Sequence, residues 1–448
     1  MSKLPTVAIV GRPNTGKSTL FNRLIGRRKS IVSDIPGTTR DHVAQRVEGQ
    51  QVDYLLVDTG GMGGGTEDSD LEGDVHKQSL LALEHADVIV LTINSREDLT
   101  SSDFEIIDTL RKSKRAHVPV ILAATKCDNP EEIERALPQY FGLGISENVL
   151  ATSAPHKVGI DDLRNAMEQA LLSLHFRKEA SGTPSQKPNI AIIGKPNVGK
   201  SSIVNAMMSE TQRAKSPLLV SEIPGTTRDS TDTVIRYHDQ EYVFMDTAGM
   251  KRRKQTVDNE IEIHSYFRSV QALERCDICV LILDIQEPVS RQDKRIAAMA
   301  VEEGKGLIIL LNKIDLLPTP QKQEALDHTE RMLQFCRFAP IIPCSAETRE
   351  GLLKLFDVIE SVQRNRSRRI PTKDLHRWFQ DAVAGQPMGS LASSKHLTQA
   401  EELPPTFVIF VKDPQKVQIS QLRALENNLR RTYAFEGTPI RWITKVSS

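Results

Sequence analysis

Two octets, GRPNTGKS at Gly11–Ser18 and GKPNVGKS at Gly194–Ser201, carry the residue types that a phosphate cradle needs. Each follows a short apolar run and opens a helix-like stretch. Glycines at these spacings let backbone N–H groups turn inward around phosphate oxygens, and the positive end of the following helix reinforces the field. Lys17 and Lys200 would reach the terminal phosphates, while the hydroxyls of Ser18 and Ser201 would ligate Mg²⁺. Arg12, Pro13, Asn14, Thr15 and Gly16 complete the first cradle; Lys195, Pro196, Asn197, Val198 and Gly199 complete the second. A single match could be a chance glycine-rich turn, but a second with the same flanks excludes that.

The duplication extends beyond the loops. VSDIPGTTRD at Val32–Asp41 returns as VSEIPGTTRD at Val220–Asp229. DTGGM (Asp58, Thr59, Gly60, Gly61, Met62) returns as DTAGM (Asp246, Thr247, Ala248, Gly249, Met250). The aspartates end strand-like runs and would hold the metal through water, and Gly61 and Gly249 would let the backbone approach a γ-phosphate. Thr39 and Thr227 are the favoured threonines for metal and γ-phosphate, with Thr38 and Thr226 as the alternatives. These segments would order around a triphosphate and relax after its hydrolysis. Lys17, Thr39, Lys200 and Thr227 are thus the side chains placed to act on the reacting phosphate.

A further pair selects the base. NKID (Asn312, Lys313, Ile314, Asp315) and its counterpart TKCD (Thr125, Lys126, Cys127, Asp128) each end in a carboxylate. Such a group accepts both the ring N–H and the exocyclic amine of guanine, a donor pair that adenine lacks. Lys313 would lie over the base, Asn312 would tie the base loop to the phosphate loop, and the backbone N–H of Ala346, after Ser345, would meet the guanine oxygen. Ser153 and Ala154 repeat that last element in the first half. Thr125 there replaces an amide by a hydroxyl, keeping the decisive Asp128, so guanine selectivity with altered affinity is expected.

The elements that must position these loops are short, β-branched apolar runs: Val52–Val57, Val88–Ile93, Val120–Ala124, Ile278–Leu283 and Leu307–Leu311. Such runs suit buried parallel strands with helical crossovers. An α/β fold follows, with two consecutive P-loop domains built on doubly wound, mostly parallel sheets and their motifs at the carboxyl ends of the strands. The expected divisions are 1–173, a polar linker at 174–186, 187–363, and a small α+β domain at 364–448. In that last segment a helix is expected over KDLHRWFQDAV, a strand at Thr406–Val411, an amphipathic helix around Ser420–Tyr433 and a strand near Ile440–Ile443.

The chain has 448 residues and equal numbers, 58 each, of basic and acidic side chains. Their distribution is uneven: the net charge is −6 over 1–173, −2 over 187–363 and +7 over 364–448. A basic third domain behind two acidic ones points to a polyanion such as nucleic acid. No apolar stretch approaches the ~20 residues that span a bilayer, no leader precedes the first strand, and five scattered cysteines indicate a reducing compartment, so a cytoplasmic protein is expected. Cys276 and Cys279, four residues inclusive in a strand-like run, are expected to be buried and inert.

PNxGKS, GTTRD, an apolar residue after DxxG and duplication within one chain together resemble the bacterial Der (EngA) family of tandem GTPases used in assembly of the large ribosomal subunit. The position after DxxG, a water-orienting Gln in Ras-like proteins, is Met62 or Met250 here, so slow intrinsic GTP hydrolysis is expected. The resemblance covers essentially the whole chain. It implies GTP/GDP and Mg²⁺ as cofactors, K⁺ as an activator held partly by Asn14 and Asn197, ribosomal RNA of the large subunit as partner, and a monomer when free. KRRK at Lys251–Lys254 resembles the family's basic switch segment, where the first copy has acidic GGGTED. The C-terminal segment resembles the family's KH-like domain through RIPT, PPTFV and LENNLRRTYAFEGTPIR, although it has no GxxG loop. Between Gln386 and Leu403 the family's Lys-rich strand is replaced by a sequence expected to shorten or weaken it. The alternatives are a GTPase of tRNA modification or membrane remodelling, disfavoured by the duplication, and a non-catalytic RNA-binding protein stabilised by GTP.

Overall fold

The computed structural model describes residues 4–25, 44–59, 86–112, 118–128, 140–146, 148–178, 188–210, 218–221, 233–238, 240–245, 269–384, 389, 391, 394 and 396–446. One compact unit holds the first sheet, and a second holds the two others.

The first sheet comprises β1 (Thr6–Val10), β2 (Ala44–Val47), β3 (Tyr54–Asp58), β4 (Val88–Asn94), β5 (Val120–Thr125) and β6 (Asn148–Ala151), in the order β2-β3-β1-β4-β5-β6. Only β2 runs antiparallel. Every residue of β1, β3 and β4 is buried, as apolar strands covered on both faces require. Helices Lys17–Leu24 and Ile160–Ser173 cover one face through Leu20, Phe21, Leu163 and Met167. Helix Ser101–Lys112 covers the other through Ile106, Ile107 and Leu110. Lys178 folds back on this unit, its N–H donating to Gln51 O at 2.9 Å and its ammonium pairing with Asp53 at 3.1 Å.

The second sheet repeats the plan with β7 (Asn189–Ile193), β8 (Leu218–Ser221), β9 (Thr233–Tyr237), β10 (Gln240–Met245), β11 (Ile278–Asp284), β12 (Gly306–Asn312) and β13 (Ile341–Pro343). Their order is β13-β12-β11-β7-β10-β9-β8, with the β8 and β9 pairings antiparallel. Phe356, on helix Leu352–Arg366, anchors one face: Tyr237, Tyr242 and Phe244 surround its ring at 5.0, 5.2 and 6.0 Å. Burying that ring contributes about 2 to 3 kcal/mol. All five cysteines are buried, and burial pushes the Cys276 thiol up to about 11, so the expected inert role of Cys276 and Cys279 matches their surroundings.

The third sheet is β14 (His396–Glu402), β15 (Pro405–Val411) and β16 (Arg441–Val446), backed by helices Thr372–Ala384 and Ile419–Tyr433. Phe379, Phe407, Leu425, Phe435 and Trp442 form its core. The segment expected to carry a shortened or weakened strand holds one of seven residues, paired antiparallel to β15 with a register shift between Gln399 and Glu401. Its polar alternation hides it: only Leu397 and Gln399 turn inward, and the Gln399 amide accepts from Ile370 N at 2.9 Å and donates to Arg368 O at 2.8 Å.

This domain docks on the second sheet at the amino-terminal end of β12, opposite the end that carries the phosphate loop. Leu307 N donates to Gly437 O at 2.8 Å, Gly437 N donates to Phe338 O at 2.6 Å, and Asn365 Nδ2 donates to Glu436 O at 3.0 Å. Arg430, held by Glu426 at 2.8 Å, lays its guanidinium over the Phe338 ring at 4.6 Å. Gly437 sits at φ 70, and a Cβ there would lie 2.2 Å from Val362 Cγ2. Gly437→Val is therefore expected to cost about 3 kcal/mol or more through strain and overpacking. Thermal denaturation and limited proteolysis of the full chain check this; an unchanged melting profile would contradict the packing described.

Candidate functional site

Both phosphate loops leave the carboxyl ends of their sheets' central strands, β1 and β7, and lead straight into helices Lys17–Leu24 and Lys200–Glu210. That is the switch point at which doubly wound sheets bind ligands. Asn14 and Asn197 share a left-handed conformation, φ 64 and 66, and both are exposed at the loop tips beside Pro13 and Pro196. Lys17 curls back so that its ammonium donates to Gly11 O at 2.8 Å and Arg12 O at 2.7 Å. Lys200 does the same with Gly194 O at 2.7 Å and Lys195 O. Burial pulls the Lys17 pKa down, against the opposing pull of Asp58. The Ser18 hydroxyl donates to Asp58 Oδ2 at 2.6 Å, and Thr59 Oγ1 donates to Ile9 O at 2.8 Å.

The base loops are tied to the phosphate loops in both halves, by different chemistry. Asn312 Nδ2 donates to Val198 O at 2.9 Å, and its Oδ1 accepts from Ala346 N at 3.1 Å. Gly199 is pressed against this amide: at φ 97, a Cβ would lie 2.2 Å from Asn312 Nδ2. In the first half the Thr125 hydroxyl, 2.6 Å from Thr15 O, reproduces the tie to the phosphate loop. The hydroxyl could still accept, but it is shorter than the amide, and among the described residues it takes no bond from Ala154 N to match the one that Asn312 Oδ1 takes from Ala346 N. Thr125 thus preserves the junction while giving up part of the framework behind the base.

The carboxylates also differ. Ser153 Oγ donates to Asp128 Oδ1 at 2.8 Å, the main cause of a lowered Asp128 pKa, and Arg96 donates to Oδ2. Ile314 and Asp315 lie in a short 3₁₀ turn, and the Ser345 hydroxyl, in the loop after β13, instead accepts from Thr348 N at 3.0 Å. Lys313 is fixed by Asp284 at 2.6 Å, whereas the residue at that strand end in the first half is the uncharged Asn94. Cys127 is buried behind Asp128, with its N–H donating to Thr152 O at 3.1 Å.

Sequence reasoning missed a pair of struts. Arg12 Nε meets Asp103 at 3.1 Å and its fork also pairs with Glu97; Lys195 meets Glu287 at 2.9 Å and Asp293 at 3.7 Å. Asp103 and Asp293 are buried and accept from Thr100 and Ser290, the start of a capping box legible as TSSD and SRQD. Burial works against the Lys195 charge, but its carboxylate partners outweigh that and raise its pKa. Thr39, Gly60, Gly61, Met62, Thr227, Asp246, Thr247, Ala248, Gly249, Met250, both PGTTRD segments and KRRK lie outside the described residues.

What the two halves share, a lysine-bearing phosphate loop roped to an aspartate-bearing base loop, is the arrangement of P-loop GTPases, built twice in one chain. Residues 6–126 and 189–313 match the family described as 50S ribosome-binding GTPase, and residues 369–445 match the family described as KH-domain-like of EngA bacterial GTPase enzymes, C-terminal. GTPase Der of Natranaerobius thermophilus is 40% identical over 452 residues, covering 100% of this chain and 99% of that protein. GTPase Der of Halalkalibacterium halodurans is 39% identical over 454 residues, covering 99% of each. The chain belongs to the GTPase Der (EngA) family, and its chemistry is GTP hydrolysis. A solved structure of Aquifex aeolicus Era bound to GDP and AlF4− aligns with 58% of this chain and 93% of its own at 19% identity, with a TM-score of 0.29, too slight to add to that assignment.

Proposed function

We propose that this GTPase is a cytoplasmic, monomeric switch in assembly of the large ribosomal subunit, binding ribosomal RNA as a function of its nucleotide state. The observation that carries the reading is a basic KH-like domain, net +7 over 364–448, docked directly on the second GTPase sheet. The family description of both sheets, 50S ribosome-binding GTPase, supports the choice of subunit.

In this reading Lys17 and Lys200 neutralise the β- and γ-phosphates, and Asp128 and Asp315 read guanine. Magnesium would be held by Ser18, Thr39 and Asp58 in the first site and by Ser201, Thr227 and Asp246 in the second. The Ser18 hydroxyl and Asp58 carboxylate, 2.6 Å apart, are hard oxygen donors of the kind Mg²⁺ takes. When bound, the ion supplies charge neutralisation of the phosphate oxygens. Asn14 and Asn197, presented at exposed loop tips, would contribute to a K⁺ site; equal GTPase rates in K⁺ and Na⁺ buffers would remove that role.

Phosphate release by the purified chain, with and without large-subunit particles, tests the proposal. Slow release that large subunits accelerate and small subunits do not is expected. Zero turnover in every condition would leave the chain as an RNA-binding protein that uses GTP structurally.

A further inference from the structure

We infer that Arg96 sets the guanine affinity of the first site by competing with the base for Asp128. The inference rests on the reading of Asp128 as the guanine-selecting carboxylate. Arg96 lies two residues beyond β4 and donates from its guanidinium to Asp128 Oδ2, while Ser153 holds Oδ1 at 2.8 Å and the His156 ring nitrogen stands 3.9 Å from Oδ1. The N–H edge of a guanidinium has the same two-donor pattern as the N1–H and 2-amino edge of guanine, with a full positive charge added. A carboxylate offers about four acceptor positions, and a base reading it side-on needs the outer pair. Arg96 therefore occupies part of the surface that the base must use.

The second half removes this competitor. Strand register pairs Asn94 with Thr125 and Asp284 with Asn312, so the counterpart of Arg96 is Gln286. Gln286 carries no charge, and among the described residues Asp315 makes no ion pair. Arg96 is held in its turn by its own backbone N–H, which donates to Asn94 Oδ1 at 3.2 Å. Its side chain is 59% exposed and that of Asp128 38%, so the pair is solvent-screened and exchangeable rather than locked. Arg96 is accordingly a positioning residue that tunes affinity without blocking the site.

The test uses the full chain carrying Lys200→Ala, in which nucleotide binding reports the first site, with fluorescent mant-GDP and mant-ADP as probes. Adding Arg96→Gln is expected to tighten mant-GDP about threefold at low salt, the size an exposed ion pair allows, with a smaller gain at high salt. The reciprocal Gln286→Arg in a Lys17→Ala chain is expected to weaken the second site by a similar factor. Unchanged or weaker mant-GDP binding in Arg96→Gln overturns the competition, a loss placing Arg96 on the nucleotide itself. Equal affinity for mant-GDP and mant-ADP in the Lys200→Ala chain, with and without Arg96→Gln, would instead overturn the reading of Asp128.

Discussion

Asp315→Asn is expected to turn the second site from guanine towards xanthine nucleotides. A carboxylate can accept from both donors of the guanine edge; the amide meets the 2-amino group with a donor of its own. One buried mismatch of this kind strands polar groups on both partners, and sites built around such hydrogen bonds discriminate by about 10⁴-fold. Xanthine carries an oxygen where guanine has its amine, so it accepts from the new amide. In a Lys17→Ala chain, GDP affinity should fall by about 10³-fold or more while xanthosine diphosphate gains. An unchanged preference for GDP would mean that Asp315 does not read the base. Asn312, held between Val198 O and Ala346 N, should be little disturbed by the change, which keeps the loop framework intact.

Lys17→Ala and Lys200→Ala carry the second large effect. Each ammonium is already fixed inside its loop by two carbonyls, so it is oriented before phosphate arrives. A charge placed in advance where negative charge develops is worth about 10²- to 10³-fold in kcat. Single variants separate the two sites, each leaving the rate that the other supplies, and the double variant should lose turnover altogether. The Lys17 shift adds a pH signature. Its pKa is pulled down by burial, so its charged form is lost at lower pH than that of an ordinary lysine. The alkaline limb of first-site kcat/KM, which reports the free enzyme, followed in the Lys200→Ala chain by phosphate release, should therefore begin below the usual lysine range. Undiminished release in the double variant would contradict the proposed role of both lysines.

Much of this site was legible because phosphate and guanine restrict residue type at fixed spacing. GxxxxGKS, DxxG and [NT]KxD are local patterns, and most of the strands that bear them, β1, β3 and β12 in full, are buried on both faces, so their apolar runs stand out. What escaped reading depends on contacts between distant segments. Arg96 meets Asp128 across 32 positions, and no spacing rule links them. The Asp284–Lys313 pair and the Gly437 turn on Leu307 and Phe338 are of the same kind. Strand β14 is faint in the sequence for another reason: on a small domain only one face of an edge strand is covered, so two inward residues suffice and none of the others needs to be large and apolar. The struts from Arg12 and Lys195 were half visible, since their capping carboxylates form a local motif whose partners do not.

Differences between the halves follow from single substitutions in a shared frame. Thr125 keeps the tie to the phosphate loop that Asn312 makes, yet gives up its second arm; Asn94 leaves Lys126 without the carboxylate that fixes Lys313. The sites are thus two unequal devices, and the basic domain rests on the sheet of the better-braced one.

Sedimentation of the intact chain with purified large ribosomal subunits, in GDP, in a non-hydrolysable GTP analogue and without nucleotide, tests the proposed switch most directly. The account predicts strong co-sedimentation with the GTP analogue that falls away with GDP. Equal association in all three conditions would contradict it.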